Sequence, residues 1–150
     1  MPTRTRNDEN VFTEAERAAV AATARERKAS SGLNPAEERA EGLQALRESL
    51  AKMPPDDRAM GERIHEIVSA AVPALVPKTY YGMPAYANGE GKIVVFIQAA
   101  AKFKTRYATI GFEDRANLDD GDLWPIGYAV RNWTPAVEKK FTELVQKAIS

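Results

Sequence analysis

The stretch Ala85-Tyr86-Ala87-Asn88-Gly89-Glu90-Gly91-Lys92-Ile93-Val94-Val95-Phe96-Ile97-Gln98 decides the fold. Asn88-Gly89 is a hairpin-turn signal, because both residues tolerate the positive φ that tight turns require. Behind it, Lys92 to Gln98 is β-branched and aromatic, the composition of a buried strand. In front of it, Lys78 to Tyr81 and Ala85 to Ala87 read as short extended pieces around Gly82-Met83-Pro84. Downstream, Lys102 to Ile110 alternates, and Ile126 to Asn132 is a further strand after Trp124-Pro125.

Moving outward, the period changes from two to the helical one. Asp56 to Val72 carries Met60, Ile64, Ile67, Val68 and Ala71 on one continuous face, the pattern of a core helix. Before it, Asn34, Pro35 and Glu37 mark a helix start, and Leu43, Leu46, Leu50 and Met53 make one apolar stripe. Packing within the domain is favoured for this stripe over a coiled-coil seam, since two heptads are too few for the latter. A first helix, Glu14 to Ala29, is opened by the capping-box spacing of Thr13 and Glu16 and ended by Ser30-Ser31-Gly32. Its apolar content is mostly alanine, so it buries little. Residues 1–10 are polar and read as frayed. At the other end Thr134 and Pro135 open a last helix with Val137, Phe141, Leu144, Val145 and Ala148 on its apolar face.

The expected fold is α+β: an antiparallel sheet flanked by an N-terminal and a C-terminal helix, preceded by two extra N-terminal helices. Residues 1–53 form the helical extension and residues 54–150 the α+β domain.

Composition narrows the chemistry. The 150 residues hold 21 basic and 21 acidic groups, one histidine and no cysteine, with 44% hydrophobic residues. Disulfides, thiolate zinc sites and cysteine nucleophiles are excluded, and no multi-histidine metal site exists. Zero formal charge argues against nucleic acid or anionic lipid as a general partner. Residues 1–10 show no apolar run behind their arginines, and Ile93 to Ile97 is too short to span a bilayer, so the expectation is a cytoplasmic protein without a membrane partner.

No catalytic constellation is visible. His65-Glu66 has Ser69 where a zinc protease needs its second histidine, so His65 reads as an exposed boundary residue. No Gly-x-Ser-x-Gly elbow or phosphate-binding glycine loop occurs. On a strand, Lys102, Lys104 and Arg106 share one face and Phe103, Thr105 and Tyr107 the other. A single-stranded nucleic-acid platform needs charges and rings together, so a half-buried strand is the favoured reading. Glu113, Asp114, Asp119, Asp120 and Asp122 follow, carboxylates that could hold a hard cation but lack calcium-hand spacing; a turn is favoured. Tyr80-Tyr81-Gly82-Met83-Pro84-Ala85-Tyr86 is a rigid amphipathic bend, equally a pocket lining or the rim of the core.

Tyr81-Gly82-Met83-Pro84-Ala85-Tyr86, Lys102-Phe103-Lys104-Thr105-Arg106-Tyr107-Ala108-Thr109 with Gly111-Phe112, and Leu118-Asp119-Asp120-Gly121 with Trp124-Pro125 resemble the motifs of the YdhG-like family of small bacterial domains of unknown function. The resemblance covers about Asp56 to Ser150. It implies a helix–sheet–helix fold reminiscent of frataxin and, from one member described as an iron chaperone, a role for exposed carboxylates.

The leading expectation is a non-enzymatic binding domain without a resident cofactor. Its candidate surface combines Tyr81, Tyr86, Lys104, Arg106 and Trp124, suited to a small anionic or aromatic ligand, or to a protein. The alternative is iron binding through Glu113, Asp114, Asp119, Asp120 and Asp122. A third expectation is self-association through the first two helices.

Overall fold

The computed structural model describes residues 13–30 and 32–150. Residues 1–10, read above as frayed, and Ser31 of the first helix break lie outside the described residues. Helices α1 (Glu14–Ser30), α2 (Pro35–Ala51) and α3 (Pro55–Ala71) precede strands β1 (Val76–Tyr80), β2 (Met83–Ala87), β3 (Ile93–Gln98), β4 (Ala108–Phe112) and β5 (Gly127–Val130). Helix α4 (Pro135–Ala148) closes the chain. The strands form one sheet in the order β1-β2-β3-β4-β5, each antiparallel to its neighbour. The fold is therefore α+β, built around an antiparallel meander.

Local chemistry sets the helix starts. The Asn34 side chain accepts the Glu37 backbone N–H at 2.9 Å, and Thr134 Oγ1 accepts that of Val137 at 3.2 Å. Thr13 Oγ1 does the same for Glu16 at 3.1 Å. Each bond satisfies one of the free donors of a helix's first turn.

Register explains the core. Tyr86 pairs with Val95 and Val95 with Phe112, while Ile97 pairs with Ile110 and Ile110 with Tyr128. Paired residues point to the same side of a sheet, so these two rows share one face. They pack in one core with Leu46 and Leu50 of α2, Ile64, Ile67 and Val68 of α3, and Phe141 and Val145 of α4. Pairing shifts between Tyr86 and Ala87, whose partners are Val95 and Ile93. Val94 is thus the extra residue of a bulge, and Val94 and Val95 are both buried. Each large side chain in this core contributes about 1.5–3 kcal/mol of burial.

The stripe on α2 belongs to this core rather than to a coiled-coil seam. Leu46 and Leu50 are buried, and α2 lies so close to β1 that a Cβ on Gly42 would stand 2.0 Å from the Pro77 carbonyl oxygen. A division at residue 53 runs through this single core, because Leu46 and Leu50 share it with α3 and α4. Among the described residues, Leu43 of this stripe is half-buried, α2 exposes no large apolar side chain, and α1 exposes one, Val20.

The expected strand Lys102–Ile110 is corrected to its last three residues, continuing to Phe112. Gln98 pairs with Thr109, so residues 99–107 form the hairpin connection and have no partner on β3, while Ala108 opens β4 by pairing with Val130 of β5. Within it, the Thr105 backbone N–H donates to the Ala100 carbonyl and Thr105 Oγ1 to that of Tyr107, while Lys104 has a φ of 55°. Lys102, Lys104 and Arg106 consequently share no strand face. His65, expected to be exposed, is half-buried, because its ring lies against Tyr86 and hydrogen-bonds to it.

Candidate functional site

The β1–β2 connection contains just Tyr81 and Gly82, with φ of 51° and 79°, since Tyr80 pairs directly with Met83. Positive φ at both central positions marks a type I′ turn, whose backbone twist matches that of the flanking strands. Glycine takes this conformation freely, but tyrosine does so at an energetic penalty. The turn is held from three directions. Gly82 N–H donates to Glu26 Oε1 of α1 at 2.8 Å, and Ser49 Oγ of α2 donates to the Gly82 carbonyl at 2.9 Å. From the β3–β4 connection, Lys102 Nζ donates to the Tyr81 carbonyl at 3.3 Å.

Between these clamping elements lies a cleft of about 640 Å³. Its apolar walls come from Ala18 and Ala22 on α1, Ala45 on α2, and Met53, Pro54, Met83, Pro84, Ile97, Ala99 and Ala101. Polar groups sit among them: Arg25, Glu26, Glu48, Ser49, Lys52, Thr79 and Lys102. Small residues on the facing helices leave the volume open, and the clamped turn forms part of its wall. The size and the apolar lining with few polar groups are those of small-molecule sites.

Lys102 is the most distinctive polar group. Burial, followed by the nearby Lys52 charge, lowers its pKa below that of an ordinary lysine, while the Glu26 charge opposes the shift. Its ammonium lies 5.7 Å from the Phe103 ring centre. Among the described residues, no carboxylate oxygen comes within ion-pair distance of it. One carbonyl therefore serves an ammonium with three donors.

The residues singled out from the sequence are distributed more widely. Tyr81 presents its carbonyl to Lys102, and its ring packs edge-on to Tyr80 with centroids 4.6 Å apart. Tyr86 is 1% exposed and faces the core, its hydroxyl 2.9 Å from His65 Nδ1. Burial pushes its phenol well above the usual range and, acting on His65 together with the Arg47 charge, lowers the imidazole. Both rings line a separate, small cleft of about 150 Å³ with Arg39, Leu43, Ser69, Pro73 and Pro77. Lys104 and Arg106 are exposed on the β3–β4 connection, Arg106 lying over the Tyr107 ring at 5.2 Å. Trp124 packs half-buried against the core. The five do not line one cavity. The first motif reaches the large cleft through Gly82, Met83 and Pro84, the second through Lys102, and the acidic third motif does not line it.

In the acidic stretch that includes that motif, Asp114, Asp119, Asp120 and Asp122 are exposed and Glu113 is half-buried. Among the described residues no group of three or more carboxylate or histidine side chains is placed to hold a metal ion. Nor does any ion pair join these acids to the basic stretch among the described residues; the pairs formed are Arg63–Glu66, Arg63–Glu138 and Lys78–Glu38.

Sequence reasoning missed the contribution of α1 and α2. Ala18, Ala22 and Arg25 recur at steps of four and three, as do Ala45, Ser49 and Lys52, so each set occupies one helix face. That spacing was available, but small and charged residues do not register as an apolar stripe. No helix among the described residues is long and apolar enough to cross a membrane. No family model, curated protein or solved structure matches the chain.

Proposed function

We propose that this chain is a cytoplasmic, non-enzymatic ligand-binding domain of the YdhG-like kind, with its site in the cleft between α1, α2, the β1–β2 turn and the β3–β4 connection. The observation that carries this reading is the cleft itself: apolar walls, polar groups set among them, and an ammonium that donates to a single carbonyl among the described residues. Two of the three motifs that resemble the family contribute to it, which gives those motifs a role beyond folding. Iron binding by Glu113, Asp114, Asp119, Asp120 and Asp122 has no comparable geometric support.

A thermal-shift screen of metabolites tests the reading on the wild type and on Ala22→Phe, which fills the cleft from α1. A ligand that raises the wild-type Tm and leaves Ala22→Phe unmoved is the expected result. A ligand that shifts both proteins equally, and loses its effect in Arg106→Ala, would place binding on the outer basic surface and overturn the proposal.

A further inference from the structure

We infer that the ligand of this cleft is an amphipathic carboxylate, its head on Lys102 and its apolar tail along the alanine, methionine and proline wall. The inference rests on the cleft reading above and goes on to name the ligand's chemistry. Three cations, Arg25, Lys52 and Lys102, line the cleft against two carboxylates, Glu26 and Glu48, leaving an excess of one positive charge. A single negative charge balances it; a cationic ligand would add to it.

Among the described residues Lys102 Nζ has one hydrogen bond, to the Tyr81 carbonyl at 3.3 Å, and its remaining donors suit a carboxylate oxygen. The Gly82 peptide groups are already satisfied by Glu26 and Ser49, so a head group at Lys102 leaves the turn's clamps in place. The partial burial that makes the ammonium less stable on its own also strengthens its attraction to an anion. Much of the lining beyond Lys102 is apolar. Ala99 and Ala101 lie close to it in sequence, and Ile97, Met83 and Ala22 extend the apolar surface. A wholly polar anion would leave this surface uncovered.

The test is calorimetry on the full chain with four probes of equal tail length, used below their micellar concentrations: decanoate, 1-decanol, decyl phosphate and decyltrimethylammonium. Decanoate should bind tightest, and Lys102→Met should weaken it by at least about tenfold, the loss expected for a hydrogen bond to a charged group. Lys102→Arg should restore most of the binding. Equal binding of decanoate and decanol, unchanged by Lys102→Met, would overturn the acid head while leaving the cleft reading intact. So would preference for decyltrimethylammonium or decyl phosphate. Failure of all four probes, with a screened ligand still excluded by Ala22→Phe, would overturn the inference alone. Failure of that exclusion would overturn the cleft reading.

Discussion

Two neighbouring hairpin turns of the same sheet are built on opposite principles. The β2–β3 turn is self-contained: the Asn88 side chain accepts the backbone N–H groups of Glu90 and Lys92, both at 3.0 Å, and Gly91 supplies the positive φ of 78°. The β1–β2 turn places a tyrosine at a φ of 51° and relies on Glu26, Ser49 and Lys102 from three other elements. A turn made from its own atoms forms a hairpin and little else. One that depends on three distant side chains ties their elements together, and the cleft is bounded by those same elements. Backbone strain of this sort persists where surrounding structure fixes it, and it concentrates at functional sites.

The sharpest way to break the contrast is an alanine in each turn. A Cβ on Gly82 would meet Lys102 Nζ at 2.8 Å and Ala22 Cβ at 3.4 Å, in a conformation that L residues avoid. Gly82→Ala should cost about 2 kcal/mol in urea unfolding, the backbone part alone being roughly 1–2 kcal/mol. Gly89 has open space around it, and Gly89→Ala should stay within about 0.5 kcal/mol. Equal losses would remove the distinction.

Ser49→Ala comes next. It removes the hydroxyl that holds the part-buried Gly82 carbonyl, and stability should fall by about 1 kcal/mol. The same substitution should loosen α2 from the turn, read as faster hydrogen exchange at Gly82 than at Gly91. Tyr81→Asn acts in the other direction. Asparagine accepts positive φ more readily, so this variant should gain about 0.5–1 kcal/mol despite losing the ring contact with Tyr80.

The smallest effect is one of pH, in a region away from both turns. Burial lowers the His65 pKa below its ordinary 6.5, so the unfolded chain binds the proton more readily. Stability is therefore full above pH 6.5 and declines as pH falls from there to the lowered folded value. His65→Gln should flatten that window in a pH series of urea midpoints. Glu138 acts lower: hydrogen bonds from Arg63 and Trp133 depress its pKa below 4.5, so its contribution is present above 4.5 and is lost as pH falls through the folded value. Glu138→Gln should remove that contribution, lowering stability above pH 4.5 and flattening the acid limb.

What was legible in the sequence follows the range of the interactions. Asn34, Thr134 and Thr13 each cap a backbone N–H three residues on, so the helix starts could be read locally. The Lys102–Tyr107 alternation was also local, but a strand needs a partner, and the Gln98–Thr109 register leaves this segment without one on β3. His65 was misplaced for the same reason: its contact, Tyr86, lies on a strand rather than on its own helix. The candidate site was half visible. Gly82 and Lys102 lay within motifs that stood out, whereas Ala22, Ala45 and Ser49 matter through the space they leave and the elements they face.

The most direct test of the central claim is a ¹H–¹⁵N correlation spectrum of the full chain, recorded with and without a ligand taken from the thermal-shift screen. The account predicts that the amides of Ala22, Ser49, Gly82 and Lys102 shift together while Arg106 and the Trp124 indole stay in place. Shifts confined to Arg106 and Trp124, with Gly82 and Lys102 unmoved, would contradict it.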